Sequence, residues 1–218
     1  DDEEWHLPPP AIAPDEAPLR IGGVDVKPGE KREVTLRVSE SFAAEPVDVP
    51  VVVVRGVVSD GPSLCLVGGV HGDELNGMEI VRSAMDVLHT QGLRGTVIGV
   101  PIANVFGFSN QTRYLPDRRD LNRHFPGNSD GSTASRVAHR LFDEVIRRCT
   151  HLVDFHTGSL QRTNVPQVRG DLRNPEVLAL ARAFGVPAIV HSPGSRGTLR
   201  RTAVQAGIAA LLYEAGET

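Results

Sequence analysis

Three residues have types and spacing suited to holding a cation. His71 and Glu74 follow the apolar run Leu64-Cys65-Leu66-Val67, which passes through Gly68-Gly69-Val70 into Gly72-Asp73. His156 closes a second short apolar run that begins at His151. Imidazole nitrogen and carboxylate oxygen are both ordinary zinc ligands. Two histidines and one carboxylate leave a fourth position for water, as catalytic zinc sites do, whereas structural sites close with four protein ligands. The His71–Glu74 pair alone is a weak pattern; a third donor at a second strand end strengthens it. His6, His89, His124, His139, His151 and His191 stand in no such pattern and read as surface or hydrogen-bonded residues.

Strand ends must bring these donors together. An apolar run bounded by glycines reads as a buried strand. A strand that enters a helix through a Gly-rich turn ends at the carboxyl edge of an α/β sheet, where such sheets bind ligands. Earlier in the chain, residues 32–38 alternate polar and apolar, a half-exposed strand, and Val49 to Val58 is nearly continuous β-branched sequence, a buried one. Ser59-Asp60-Gly61-Pro62 reads as a turn. Helical spacing covers residues 74–88 and 132–148, and Thr96 to Ile102 is a further strand. Residues 103–132 have no clean period, and long irregular stretches inside domains are often functional. After His156, residues 157–171 read as loop. Asn174-Pro175-Glu176 reads as an N-cap with proline at the first helical position, and Gly185 ends that helix. Strands are expected at 188–190 and 208–213, with a short helix at 199–205. Strand and helix alternate through most of the chain, which predicts a three-layer α/β domain with a mainly parallel sheet.

A length of 218 residues suits one well-buried α/β domain, with or without a small appendage. Hydrophobic content of 40% and charged content of 23% are those of a globular protein. A net charge of -4 argues against nucleic-acid or anionic-membrane partners, and no apolar run approaches the roughly 18 residues of a membrane span. The acidic, proline-rich start, Asp1 to Pro18, reads as an extended lead-in and is no signal peptide. Cys65 and Cys149 are expected to be buried or half-buried free thiols, which sets a reducing, cytoplasmic location as the default.

Three segments in order, Gly69-Val70-His71-Gly72-Asp73-Glu74, Asp120-Leu121-Asn122-Arg123-His124-Phe125-Pro126-Gly127 and Asp154-Phe155-His156-Thr157-Gly158, resemble the succinylglutamate desuccinylase/aspartoacylase family of the zinc carboxypeptidase-like group. The resemblance runs from about Val51 to the end. It implies a three-layer zinc carboxypeptidase-like α/β domain with a mainly parallel mixed sheet. It implies one Zn²⁺ per chain, held by His71, Glu74 and His156. It also implies hydrolysis of the amide between an acyl group and an amino acid or small amine. Under the same resemblance Glu214, in Leu212-Tyr213-Glu214-Ala215-Gly216, is the catalytic glutamate and Arg113 polarises the scissile carbonyl. Asn122, Arg123 and Arg169 bind substrate. Asp120 supports a metal-bound histidine, a common arrangement. Residues 1–48 are then an N-terminal lead-in and β segment and 49–218 the catalytic domain; the family's C-terminal β-rich domain is expected to be absent. The expected partner is a small acylated amino acid or amine, with homo-oligomerisation left open. Two other readings stay open: a carboxypeptidase acting on peptides, and a catalytically silent binding domain. A nucleotide site at Gly68-Gly69 is disfavoured, because neither Lys-Ser/Thr nor G-x-G-x-x-G follows.

Overall fold

The computed structural model describes residues 19–40, 46–158 and 162–217; the expected lead-in over residues 1–18 lies outside them. A hairpin opens the described chain. β1 (Leu19–Ile21) and β2 (Val24–Val26) pair across Gly22-Gly23, both at positive φ, as a two-residue hairpin turn requires. Ile21 and Val26 bury against the main core. β3 (Lys31–Glu40) then buries Val34, Leu36 and Val38 and exposes the residues between them, while β4 (Pro46–Arg55) buries Val47, Val49, Val51 and Val53. Period-2 burial of this kind places one strand face on the core. Residue 48 lies inside β4, and β3 pairs antiparallel along its length.

The sequence then alternates. β5 (Val58–Gly68), α1 (Leu75–Val87), β6 (Arg94–Val100), α2 (Val105–Ser109), α3 (Thr133–Glu144), β7 (His151–Gly158), β8 (Asn164–Gly170), α4 (Pro175–Phe184), β9 (Ala188–His191), α5 (Leu199–Gln205) and β10 (Ala209–Glu217) follow. Eight strands form one sheet in the order β3-β4-β6-β5-β7-β10-β8-β9. The central β6, β5, β7 and β10 are mutually parallel; β4 joins β6 antiparallel, and β8 joins β10 antiparallel. This is the mainly parallel mixed sheet the sequence predicts. Helices cover both faces. Cys65, Val67 and Leu152 pack with α3 and α5 on one side, and Leu66, Val153 and Phe155 pack with Val81 and Met85 of α1 on the other. Gly185, at φ 74, ends α4, and the Asn174 side chain caps its start.

Several local expectations are corrected. Ser59–Pro62 is not a turn between elements. It lies within β5, where the pairing with β6 shifts register between Val58 and Ser63; the break after β4 comes at Gly56. Turn-type residues here mark a strand irregularity, not a strand end. The loop expected over residues 157–171 contains β8, whose place between β10 and β9 supplies backbone partners that no local pattern announces. Residues 103–132 contain α2 and a 3-10 turn at Leu121–Arg123.

The thiols are corrected as well: Cys65 and Cys149 form a disulfide with Cα atoms 5.8 Å apart. Cys65 is on β5, and Cys149 follows the helical segment that crosses that sheet face, so 84 positions of sequence separation vanish in the fold. The bond removes the premise on which a reducing compartment was expected. No helix among the described residues is long and apolar enough to cross a membrane. Closing a loop of this length restricts the unfolded chain by about 4.5 kcal/mol in the chain-entropy treatment. Reduction, or Cys149→Ser, is expected to lower the melting temperature by about 10 °C, measured by thermal denaturation with and without reductant; equal melting temperatures would contradict it.

Candidate metal centre

β5, β7 and β10 lie side by side and run the same way, so their C-terminal ends open on one edge of the sheet. His71 follows β5 by three residues. Glu74 is the residue before the first turn of α1. That turn can approach the sheet because residue 77 is glycine: a Cβ there would stand 2.5 Å from the Phe155 carbonyl oxygen on β7. His156 projects from β7. Its register partner on β10 is Glu214, and the partner of Asp154 is Leu212. Residues paired across adjacent strands share a face, so Asp154, His156 and Glu214 project the same way.

The Glu74 carboxylate sits between the two imidazoles. Oε1 is 2.7 Å from His71 Nδ1, Oε2 is 2.8 Å from His156 Nδ1, and the Thr157 amide donates to Oε2 at 3.2 Å. The outer nitrogens meet other carboxylates: His71 Nε2 is 3.2 Å from Asp120 Oδ1, and His156 Nε2 is 3.0 Å from Asp154 Oδ2. His71, Glu74 and His156 are each 3% exposed, and one donor atom from each lies within 4.8 Å of the others. Both rings thus turn Nδ1 inward, with a carboxylate behind Nε2. Outer partners of this kind set tautomer and ring orientation in metal-ligating histidines. The donor set therefore fits a divalent ion of the zinc type. Burial works against the charge on Glu74, but the hydrogen bonds from His156 and His71 prevail and hold its carboxyl well below the usual range. Asp120 is likewise held low against burial by His71 and Arg113. His156 is held above the usual imidazole range, since Asp154 and Glu74 outweigh burial. A cation binding there displaces protons, so its affinity falls with acidity.

The centre forms the floor of a cleft of about 770 Å³, within the size range of small-molecule sites. All nine residues singled out from the sequence come near it, in unequal ways. Glu214, Arg113, Asn122, Arg123 and Arg169 line the cleft with the three candidate ligands, and Asp120 stands behind His71. Asn164 donates to Glu214 Oε2 at 2.6 Å, and Arg169 Nη1 is 3.8 Å from Oε1. Burial raises the Glu214 carboxyl, opposed by His156 and Arg169. Arg113 forks between Glu74 Oε1 at 3.3 Å and Asp120 Oδ2 at 3.1 Å. The Asn122 side-chain oxygen accepts from the Leu199 amide at 2.8 Å and so caps α5, whose own Thr198 makes no side-chain cap. Arg123 is half exposed and donates to the Asn122 carbonyl. The segment holding both packs against residue 197, where a Cβ would stand 2.2 Å from the Arg123 carbonyl oxygen; glycine at φ 82 is needed there.

Sequence reasoning missed Asp154, Asn164 as the partner of Glu214, and Arg200. Asp154 was within reach, because residues two apart on a strand share a face. Asn164 and Arg200 come from elements that only the sheet order brings to the cleft. The arrangement offers a triad of metal-type donors, a half-buried carboxylate beside it, and several arginines facing the same space.

A raised carboxyl binds its proton more tightly folded than unfolded. Its contribution is therefore complete below the ordinary value of 4.5 and is lost as pH rises through the raised value. In metal-free protein, Glu214→Gln is expected to melt a few degrees higher than the unaltered chain at pH 7 and at the same temperature at pH 4. A variant no more stable at pH 7 would contradict this.

Residues 60–218 match the succinylglutamate desuccinylase/aspartoacylase catalytic domain. The chain is 31% identical over 147 residues to the N-alpha-acetyl-L-2,4-diaminobutyric acid deacetylase of Halomonas elongata, a match covering 65% of this chain and 42% of that protein. The crystal structure of a succinylglutamate desuccinylase/aspartoacylase from Rhodobacter sphaeroides superposes with a TM-score of 0.78 at 30% identity, over 89% of this chain and 61% of the other. The product-bound ectoine utilization protein EutE (DoeB) of Ruegeria pomeroyi superposes with a TM-score of 0.75 at 25% identity, over 86% of this chain and 60% of the other. The chain thus spans less than two thirds of the length of these relatives. It belongs to the succinylglutamate desuccinylase/aspartoacylase family.

Proposed function

We propose that the chain is the catalytic part of a zinc-dependent amidohydrolase that cleaves the amide bond of an N-acyl amino acid or a related small acylated amine. The observation that carries this reading is the register of Glu214 beside His156, which stands a half-buried carboxylate next to a two-histidine, one-carboxylate donor set. The named activity of the Halomonas elongata relative, a deacetylase of an acetylated amino acid, agrees with it.

His71 Nδ1, a Glu74 oxygen and His156 Nδ1 would hold the zinc. When bound there, zinc would supply a water whose pKa is lowered toward about 7 and a Lewis acid for the carbonyl oxygen. Glu214 takes the proton from the attacking water at its carboxylate and returns it to the leaving nitrogen, as general base and then general acid. Its raised carboxyl suits a group that must both accept and release a proton. The Asn164 amide fixes the carboxylate rotamer. Arg113 is held at the cleft by Glu74 and Asp120 and presents positive charge beside the donor set, where the carbonyl oxygen gains negative charge. Arg123 and Arg169 offer forks that match a substrate carboxylate. Asn122 spends its side-chain oxygen on α5, so its contribution to substrate runs through placement of the Arg123 segment and the start of that helix. Arginines around a small cleft favour a compact anionic substrate over a peptide.

Elemental analysis of the purified chain is expected to find about one zinc per chain, and His156→Ala to lose it on dialysis, since removing one of three protein ligands opens the site. Zinc retained in full by that variant would take His156 out of the centre. Glu214→Gln is expected to keep its zinc while kcat on an N-acyl amino acid falls about 10²–10⁴-fold. Normal turnover would refute the proton-transfer role.

A further inference from the structure

The strand that carries Glu214 loses its regular pairing directly after that residue. Glu214 pairs with His156 of β7, and the next pair is Glu217 with Gly158, so three positions on β10 (214 to 217) oppose two on β7 (156 to 158). Pairing with β8 shifts over the same stretch, from Glu214 with Gln167 to Gly216 with Asn164. One extra residue in β10 makes a bulge, and bulges beside functional sites re-aim a side chain. Gly216 lies inside it at φ 67, a conformation that glycine adopts without steric cost.

A bulge disrupts the ladder locally, so backbone groups there need other partners. Two side chains supply donors here. Thr157 Oγ1 donates to the Ala215 carbonyl at 2.7 Å, and Asn76 Nδ2 donates to the Glu217 carbonyl. Both come from elements that hold candidate ligands. Asn76 lies in the first turn of α1, two residues after Glu74. Thr157 follows His156 on β7 and is 2% exposed, and its own amide donates to Glu74 Oε2 at 3.2 Å. Thr157 therefore grips a ligand carboxylate with its amide and the residue after Glu214 with its hydroxyl. Asn164 holds the carboxylate end of Glu214, whereas the backbone on its C-terminal side is held by the bulge contacts.

Resting on the proton-transfer role of Glu214 above, we propose that the Ala215–Gly216 bulge, pinned by the Thr157 hydroxyl, sets the position of Glu214 against the donor set, and that Thr157 is a positioning residue for proton transfer. The bulge places the backbone from which the Glu214 side chain reaches the cleft, and a misplacement of about 1 Å in such a group costs about 10²-fold in rate. The same threonine spans Glu74 and Ala215, so it fixes the distance between the strand of the acid–base group and the candidate ligands.

Steady-state kinetics of the whole chain on an N-acyl amino acid tests this, with zinc content and thermal melting alongside. The variants are Thr157→Val, Thr157→Ser, Gly216→Ala, Glu214→Gln and the Thr157→Val/Glu214→Gln double variant. Thr157→Val keeps the shape and the backbone amide and removes the hydroxyl. It is expected to lower kcat about 10–100-fold at unchanged KM and unchanged zinc content. Thr157→Ser, which keeps the hydroxyl, is expected to recover most of kcat. Gly216→Ala alters the bulge without touching Thr157: a Cβ there would come no closer than 3.6 Å, to Asn76 Nδ2, so the change acts through φ. It is expected to lower kcat in the same way, and it decides the matter if Thr157→Val does not fold. Adding Thr157→Val to Glu214→Gln is expected to cost nothing more, because residues acting through one group are not additive. Normal kcat in folded Thr157→Val or in Gly216→Ala, or a further loss in the double variant, would overturn the proposal. So would a loss that appears as raised KM, which would make Thr157 a substrate contact, or as lost zinc. Normal turnover by Glu214→Gln, or inactivity of the unaltered zinc-loaded chain, would instead overturn the functional reading on which the proposal rests.

Discussion

The Glu74 carboxylate, buried between two imidazoles, is the interaction on which the rest of the site depends. Each oxygen faces one Nδ1, and the Thr157 amide and Arg113 approach the same group. A carboxylate removed from water is stable only when several donors converge on it. The donors here come from a loop after β5, the end of β7 and the segment after α2, so no single element could assemble them. The fold answers with three adjacent parallel strands that end at one edge, and with a glycine at residue 77 that lets α1 deliver Glu74 against β7.

Charge alternates outward from that carboxylate. The two histidines surround it, Asp120 and Asp154 stand behind the histidines, and Arg113 ties Asp120 back to Glu74. Such layering orients each ring without closing the side that faces the cleft. It also makes the centre costly to disturb, because removing one member leaves another charge buried alone. Glu214 differs from these groups. It is partly exposed, its carboxyl is raised, and it receives Asn164 and Arg169 from the antiparallel strand β8 on the far side of β10. One edge of one sheet thus holds one carboxyl kept low and another raised.

Structural economy is visible at Asn122. Its side chain lines the cleft, yet its oxygen caps α5, the helix that carries Arg200. The Phe125 amide bonds the Gly197 carbonyl in the same contact. The loop with the arginine and the helix over the cleft are therefore one packed unit, which links cleft-lining residues to the stability of the fold.

Glu214 entered through the family resemblance alone; read by itself, the sequence determined the alternation of strands and helices, the ends of α1 and α4, and the three candidate ligands. These follow from local rules: apolar period, Gly and Pro punctuation, and donors placed at strand ends. It did not show β8, because a largely exposed segment with little apolar pattern becomes a strand only when its neighbours, here β10 and β9, supply backbone partners. Ser59–Pro62 has the composition of a turn and lies in a strand for a related reason, since pairing with β6 outweighs local preference. The pairing of Cys65 with Cys149, and the hydrogen bond from Asn164 to Glu214, needed the tertiary structure outright. Each joins positions far apart in sequence through the order of strands in the sheet, and that order is set by the packing of the whole chain rather than by any window of it.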